Sequence, residues 1–402
     1  MDTAGSRFHL LEERIFYGLL AIGGLVTLIG LAAAHHMETE GHIATGMTNQ
    51  VVWGLPHVFA IFMIVAASGV LNVASIGSVF GQAAYKPRAP LSGLLSLALL
   101  AGGLMVLMLD LGRPDRVIVA ATHYNFSSVF AWNVFLYSGM AAIIAIYLWT
   151  LFERRMNRYA KAAGIAALVW RFALTTGTGS IFAFLVARQA YASAVLAPLF
   201  IVLSFGWGLA VFLIVQSVMY AWNGQVLPEA IARRMARLLA VFVAASLYLV
   251  LVYHATNLYF ARQTAFEAFI LLGRGDPSGL FALLFWGGYL GLGSLLPLLL
   301  LFHPRLASPR GTLAACVLVV LGAFAFLFVF IIGGQAFPLE IFPGHAVTSS
   351  FADGAAEVYR PRLPEWLLGF GGLGLAFVLT AVGMRALDFL PQDDFAPLAG
   401  KE

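Results

Sequence analysis

The chain alternates long apolar stretches with short polar ones, and the apolar stretches are close to one size. A helix that crosses a membrane takes about 20 mostly apolar residues. Ten stretches reach that length: Ile15–Ala34, Trp53–Phe80, Leu91–Gly112, Ser128–Phe152, Gly164–Ala187, Val195–Tyr220, Leu238–Phe260, Leu280–Phe302, Gly311–Gly334 and Trp366–Met384. The larger outer loops are His35–Val52, Arg113–Ser127, Ala261–Gly279 and Gln335–Glu365; the inner ones are short. This pattern predicts an all-α integral membrane protein with ten transmembrane helices and no soluble domain. Small residues recur within the spans, as in Gly287-xxx-Gly291 and Gly371-Gly372-x-Gly374, and such faces let helix backbones approach closely in lipid.

Composition agrees. Of 402 residues, 61% are hydrophobic and 10% charged, against roughly a quarter charged in a soluble domain. That excludes a soluble enzyme, a disordered chain and a nucleic-acid binder; the net charge of +4 is what basic cytoplasmic loops produce. The single cysteine, Cys316, excludes a disulfide framework, a thiolate zinc site and an iron–sulfur cluster held by this chain alone. With the N-terminus in the cytoplasm, 15 of the 23 basic residues fall on inner segments and 7 on outer ones, with Arg171 inside a span. This bias supports ten spans with both ends inside. It also supports the polar fifth span, whose removal would put Arg233, Arg234 and Arg237 outside. Met1–Arg14 carries both charge signs and precedes a full-length apolar run, which reads as a signal anchor.

Ionisable groups within a span cost several kcal/mol unless paired or hydrated, so each is a functional candidate. They are His57, Asp110, Arg171 and His254; Asn133 and Tyr137 join them in the first turns of span four. The alternating topology puts His57, Asp110, Asn133, Tyr137 and His254 in one layer near the outer face. Arg171 falls near the inner side, where it is expected to snorkel toward water. Plainer readings stand beside these. His57 and His254 could be aromatic-belt residues, Asp110 could be a helix-end ion pair with Arg113 or Arg116, and His35, His36 and His42 read as a solvated loop. Bis-histidine haem would need His57 and His254 on facing helices, and would allow one haem at most. A quinone head group needs donors to two carbonyl oxygens, an apolar slot and a proton-exchanging group, all of which the layer holds. A proton or ion pathway also fits the layer, although the inner halves of the spans hold almost no acids.

Trp53-Gly54-Leu55-Pro56-His57, the stretch Leu109-Asp110-Leu111-Gly112-Arg113-Pro114 and the following Ala131-Trp132-Asn133 together resemble the NrfD/PsrC family of polysulfide-reductase membrane subunits. The similarity covers spans two to nine, and the length is closest to the ten-span members. The resemblance implies two four-helix bundles, about 53–187 and 195–334, plus one extra helix at each end. It implies a subunit without haem or an iron–sulfur cluster of its own, working with menaquinone or ubiquinone in the bacterial inner membrane. Its implied partner is a four-cluster ferredoxin-like iron–sulfur subunit on the outer, periplasmic face, with further cytochrome or membrane subunits. His57 matches the family's quinone-binding histidine and Asp110 its buried aspartate; Tyr137 falls where the family offers a tyrosine. On this reading His57 bonds one quinone oxygen, Tyr137 or Asn133 the other, and Asp110 with Arg113 sets protonation, with His254 a further candidate for the quinone. The chain departs from the family at Gly54 and Leu55, where an Asn is common, and at Thr175–Ser180, where some members carry a His. An ion-translocating subunit and a structural anchor for redox partners are the alternative functions.

Overall fold

The computed structural model describes residues 3–225, 227–303, 305–339 and 354–387; the 340–353 part of the last outer loop, Asp388 and Lys401 lie outside the described residues. Ten helices are long and apolar enough to cross a membrane, and the described residues contain no strand. They are α1 (Thr3–Glu40), α2 (Leu55–Ser78), α3 (Ala89–Leu109), α5 (Val129–Phe152), α6 (Ala160–Ala183), α7 (Leu196–Trp222), α8 (Glu229–Tyr259), α10 (Leu280–Phe302), α11 (Pro309–Ala336) and α12 (Leu363–Leu387). Two short helices, α4 (Val117–Thr122) and α9 (Thr264–Leu272), follow α3 and α8 in the connections. The ten-helix, all-α expectation therefore holds.

The central helix is α2. In its most apolar window 94% is buried inside the protein, against 11% for α1. Helix α2 packs on α3, α6 and α7, while α3, α5 and α6 close a ring with it. A second ring joins α7, α8, α10 and α11. The first and last helices pair with each other, and α12 lays the pair against α3 and α2.

Backbone approach explains where glycine is needed. A Cβ at Gly69 of α2 would lie 1.6 Å from the carbonyl oxygen of Ser204 in α7, so only glycine allows this crossing. The Gly371-Gly372-x-Gly374 face works as its spacing suggests: Gly371 meets Gly30 of α1, and Gly372 meets Gly102 of α3. The Gly287-xxx-Gly291 face does not, because neither residue touches another helix within 4 Å of where its Cβ would stand. The tight contact is made instead by Gly293 against Gly322 of α11. Helix α10, π-helical over Leu284–Leu295, turns a different side to α11: Gly288 meets Ala325 and Gly293 meets Gly322.

Arg171 is a second departure. It lies 3% exposed within the first ring, its guanidinium over the rings of Phe172 and Phe205 at 4.7 and 5.4 Å. Its Nε and one terminal nitrogen have no hydrogen-bond partner among the described residues. It does not snorkel, because α6 begins at Ala160 and carries Arg171 three turns into the packed bundle.

Candidate functional site

His57 stands in the first turn of α2, and Asp110 caps the C-terminal end of α3. The two helices run antiparallel, so their opposite termini meet at one end of the bundle. His57 Nδ1 lies 2.7 Å from Asp110 Oδ2. The carboxylate sits off the direction of the ring N–H, and neither Asp110 oxygen receives a hydrogen bond among the described residues. The His57 side chain is 12% exposed and that of Asp110 1%. The imidazole is therefore the more accessible member of the pair.

Arg113 does not join them. The chain reverses at Gly112, whose φ of +71° suits glycine, and this turns Arg113 outward. Its guanidinium makes two hydrogen bonds to Asp115, at 2.9 and 2.8 Å, with both side chains more than half exposed. This pairing holds the Asp115 carboxyl below its ordinary range and raises Arg113. The expected Asp110–Arg113 pair is thus replaced by Asp110–His57.

Trp53 stacks on the His57 ring, with centroids 5.8 Å apart, and also touches Phe130 of α5 and Phe182 of α6. Asn133 and Tyr137, on α5 one turn apart, are buried and follow Phe130 along that helix. Asn133 donates from Nδ2 to the Val129 carbonyl at 2.9 Å, which leaves its buried Oδ1 without a partner among the described residues. Tyr137 lies beside Thr178 of α6, whose hydroxyl donates to the Leu174 carbonyl at 3.0 Å. Neither residue bonds directly to His57 or Asp110 among the described residues; Trp53 and Phe130 stand as the link.

His254 belongs elsewhere. In α8 it hydrogen-bonds through Nδ1 to Glu267 Oε2 at 2.7 Å, and Asn257 Nδ2 donates to Glu267 Oε1 at 2.7 Å. Glu267 is fully buried in α9. Trp53, Phe182, Phe330 and Tyr253 form a chain of ring contacts between His57 and His254. Each histidine has a carboxylate of its own beside Nδ1, Asp110 for His57 and Glu267 for His254. Glu267 is legible in retrospect as the one acid in the apolar run Phe266–Leu272.

The loop that delivers His57 is held from distant parts of the chain, which the sequence did not reveal. Gln335, at the end of α11, accepts the N–H groups of Val52 and Trp53 at 3.0 Å each and donates to the Trp53 carbonyl at 3.0 Å. Arg188 donates to the Gln335 and Gln50 carbonyls at 3.0 and 2.9 Å; its partial burial lowers its pKa from the ordinary value. The first N–H groups of a helix lack partners within it. Tyr359 Oη accepts that of Leu55 at 2.6 Å and donates to buried Glu365. Glu365 Oε2 accepts from Gly46 N and Arg362 N, each at 2.7 Å. Burial, then the Glu365 charge, pushes the Tyr359 phenol well above its ordinary value.

Two separate polar contacts lie farther along the first ring. Ser68 and Thr175 meet at 2.8 Å, and Ser78 and Tyr147 at 2.5 Å.

Fold and site together define a multi-pass helical membrane protein with a buried histidine–aspartate pair at one end of its first helical ring. The chain belongs to the Polysulphide reductase, NrfD family, which it matches over residues 44–339. It is similar to the Hdr-like menaquinol oxidoreductase integral membrane subunit of Archaeoglobus fulgidus, 27% identical over 381 residues that make up 94% of each chain. It is also similar to a putative dimethyl sulfoxide reductase membrane subunit of Halobacterium salinarum, 28% identical over 94% of this chain and 92% of the relative. A selenate reductase subunit of Mesobacillus selenatarsenatis is 21% identical, over 93% of each.

Proposed function

We propose that this chain is the quinone-interacting integral membrane subunit of a multi-subunit oxidoreductase, exchanging electrons between the quinone pool and an iron–sulfur partner. The buried His57–Asp110 pair carries the reading. A carboxylate inside the bilayer without a hydrogen-bond donor is costly, and such groups mark functional sites. The donor set suits a quinone: a partly reachable imidazole, a phenol, an amide and a stacking indole beside them. A bound quinone supplies two-electron chemistry coupled to protons. With Nδ1 turned to Asp110, His57 leaves Nε2 for one quinone oxygen. Asp110 holds or takes the proton at Nδ1. Tyr137 and Asn133 serve the second oxygen, and Trp53 orients His57 and excludes water beside it. His254, paired with Glu267, is a separate element.

The menaquinol named for the Archaeoglobus relative favours menaquinone over ubiquinone. The redox partner is a four-cluster ferredoxin-like subunit docking on the end that carries His57. The positive-inside bias makes that end periplasmic, with both termini cytoplasmic in the inner membrane. We read the two helical rings as the family's two four-helix bundles.

Photolabelling of the assembled complex with an azido-menaquinone tests the assignment. Labelled peptides should come from 53–57 and 129–137; labelling confined to the second ring would reject it. The Ser68–Thr175 and Ser78–Tyr147 contacts favour a second activity, proton uptake from the opposite side. Proteoliposome pH recording during turnover would reveal it as proton movement beyond the scalar chemistry.

A further inference from the structure

A cavity of about 550 Å³ opens at the end of the first ring opposite His57. It lies where α2 ends, α3 and α6 begin and α5 ends, and its wall includes Ser78, Lys86, Leu151, Asn157 and Lys161. The chain has three lysines against twenty arginines. Both lysines of the described residues line this cavity, and no carboxylate does.

The site is built rather than incidental. Gly77 lets the Lys86 backbone close on α2, since a Cβ there would lie 2.9 Å from Lys86 N. Ser78 is fixed by the buried Tyr147 hydroxyl at 2.5 Å. At about 30 Å³ per water, the volume holds on the order of eighteen waters, ample for a phosphate group and its glycerol. Leu151, Pro90 and Val79 supply apolar wall in the same cavity as the two lysines. A lysine ammonium is a compact, mobile point charge on an apolar stem, suited to a phosphate at the edge of the hydrocarbon layer. Basic pockets between transmembrane helices take anionic lipid head groups.

We propose that this cavity is a binding site for the phosphate of an anionic phospholipid, held by Lys86 and Lys161. The site is independent of the quinone assignment, since it lies at the opposite end of the bundle.

Native mass spectrometry of the purified, delipidated full-length chain tests it. Tetraoleoyl cardiolipin, phosphatidylcholine and inorganic phosphate are titrated in turn. Cardiolipin should bind the native chain, and Lys86→Gln/Lys161→Gln should weaken that binding by roughly thirtyfold. Lys86→Arg/Lys161→Arg should keep most of it, which shows that charge is read and that the substituted chain folds. Arg233→Gln/Arg234→Gln, at the same end of the protein, should leave it unchanged. Equal binding of phosphatidylcholine, no loss in the double glutamine variant, or full displacement by millimolar inorganic phosphate would overturn the proposal.

Discussion

His57 Nδ1 and Asp110 Oδ2 meet at 2.7 Å although they lie on different helices, because α2 starts and α3 ends at the same face of the bundle. Beyond that contact, Asp110 has no hydrogen-bond donor among the described residues. Arg113, close by in sequence, is committed to Asp115.

Two substitutions separate these roles. Arg113→Gln should leave quinol oxidation by the assembled complex within about twofold of native, because its solvent-screened pair with Asp115 stands outside the site. Asp110→Asn should lower it by roughly 10²-fold, the lower end of general acid–base contributions, with subunits still assembled. Steady-state assays on purified complex compare the two; a large loss in Arg113→Gln would restore the arginine to the site.

Gln335→Ala removes the acceptor for two backbone N–H groups, those of Val52 and Trp53. A fully buried donor left unpaired costs about 1–3 kcal/mol, and these part-buried ones cost less. The expected result is a raised KM for quinol with the complex intact, since Trp53 and His57 lose their fixed approach. An unchanged KM would show that Gln335 only stabilises the fold.

Glycine placement gives a stability contrast. Gly69→Ala forces a Cβ into the Ser204 carbonyl at 1.6 Å and should destabilise the chain by about 3 kcal/mol or more, seen as a lower Tm in detergent or loss of folded protein. Gly287→Ala meets only a side chain of its own helix, at 3.8 Å, and should leave Tm unchanged or slightly raised.

The Tyr359 phenol sets a pH window. Its pKa is raised in the folded chain by burial and by Glu365. Below the ordinary tyrosine value of about 10 the phenol is protonated folded and unfolded alike, so its contribution is complete there. As pH rises past that value the unfolded chain releases the proton and the folded one keeps it, so the contribution falls. The Tm advantage of native chain over Tyr359→Phe should therefore be constant from about pH 6 to 9 and shrink above about pH 10. A gap that widens with alkalinity would contradict the raised value.

The ten helices were legible because each needs an unbroken apolar run that nothing else in the chain produces. His57 and Asp110 were legible because ionisable groups are so rare within those runs. Their pairing was not, since sequence proximity favoured Arg113 and only the turn at Gly112 sends it away. Gln335, Arg188, Tyr359 and Glu365 read as ordinary loop residues, because their value lies in reaching backbone groups on a distant segment. Gly287 and Gly291 had the right spacing, but spacing does not say which side of a helix meets a neighbour, and Gly288 and Gly293 make the contact. Arg171 was expected at the water boundary, but the start of α6 at Ala160 placed it in the core.

The central claim is that His57 is the group that meets the quinone. Its most direct test is menaquinol turnover by the assembled complex carrying His57→Ala, with subunit content measured on the same preparation. The account predicts a fall of roughly 10²-fold with all subunits retained. Native turnover in that variant would contradict it.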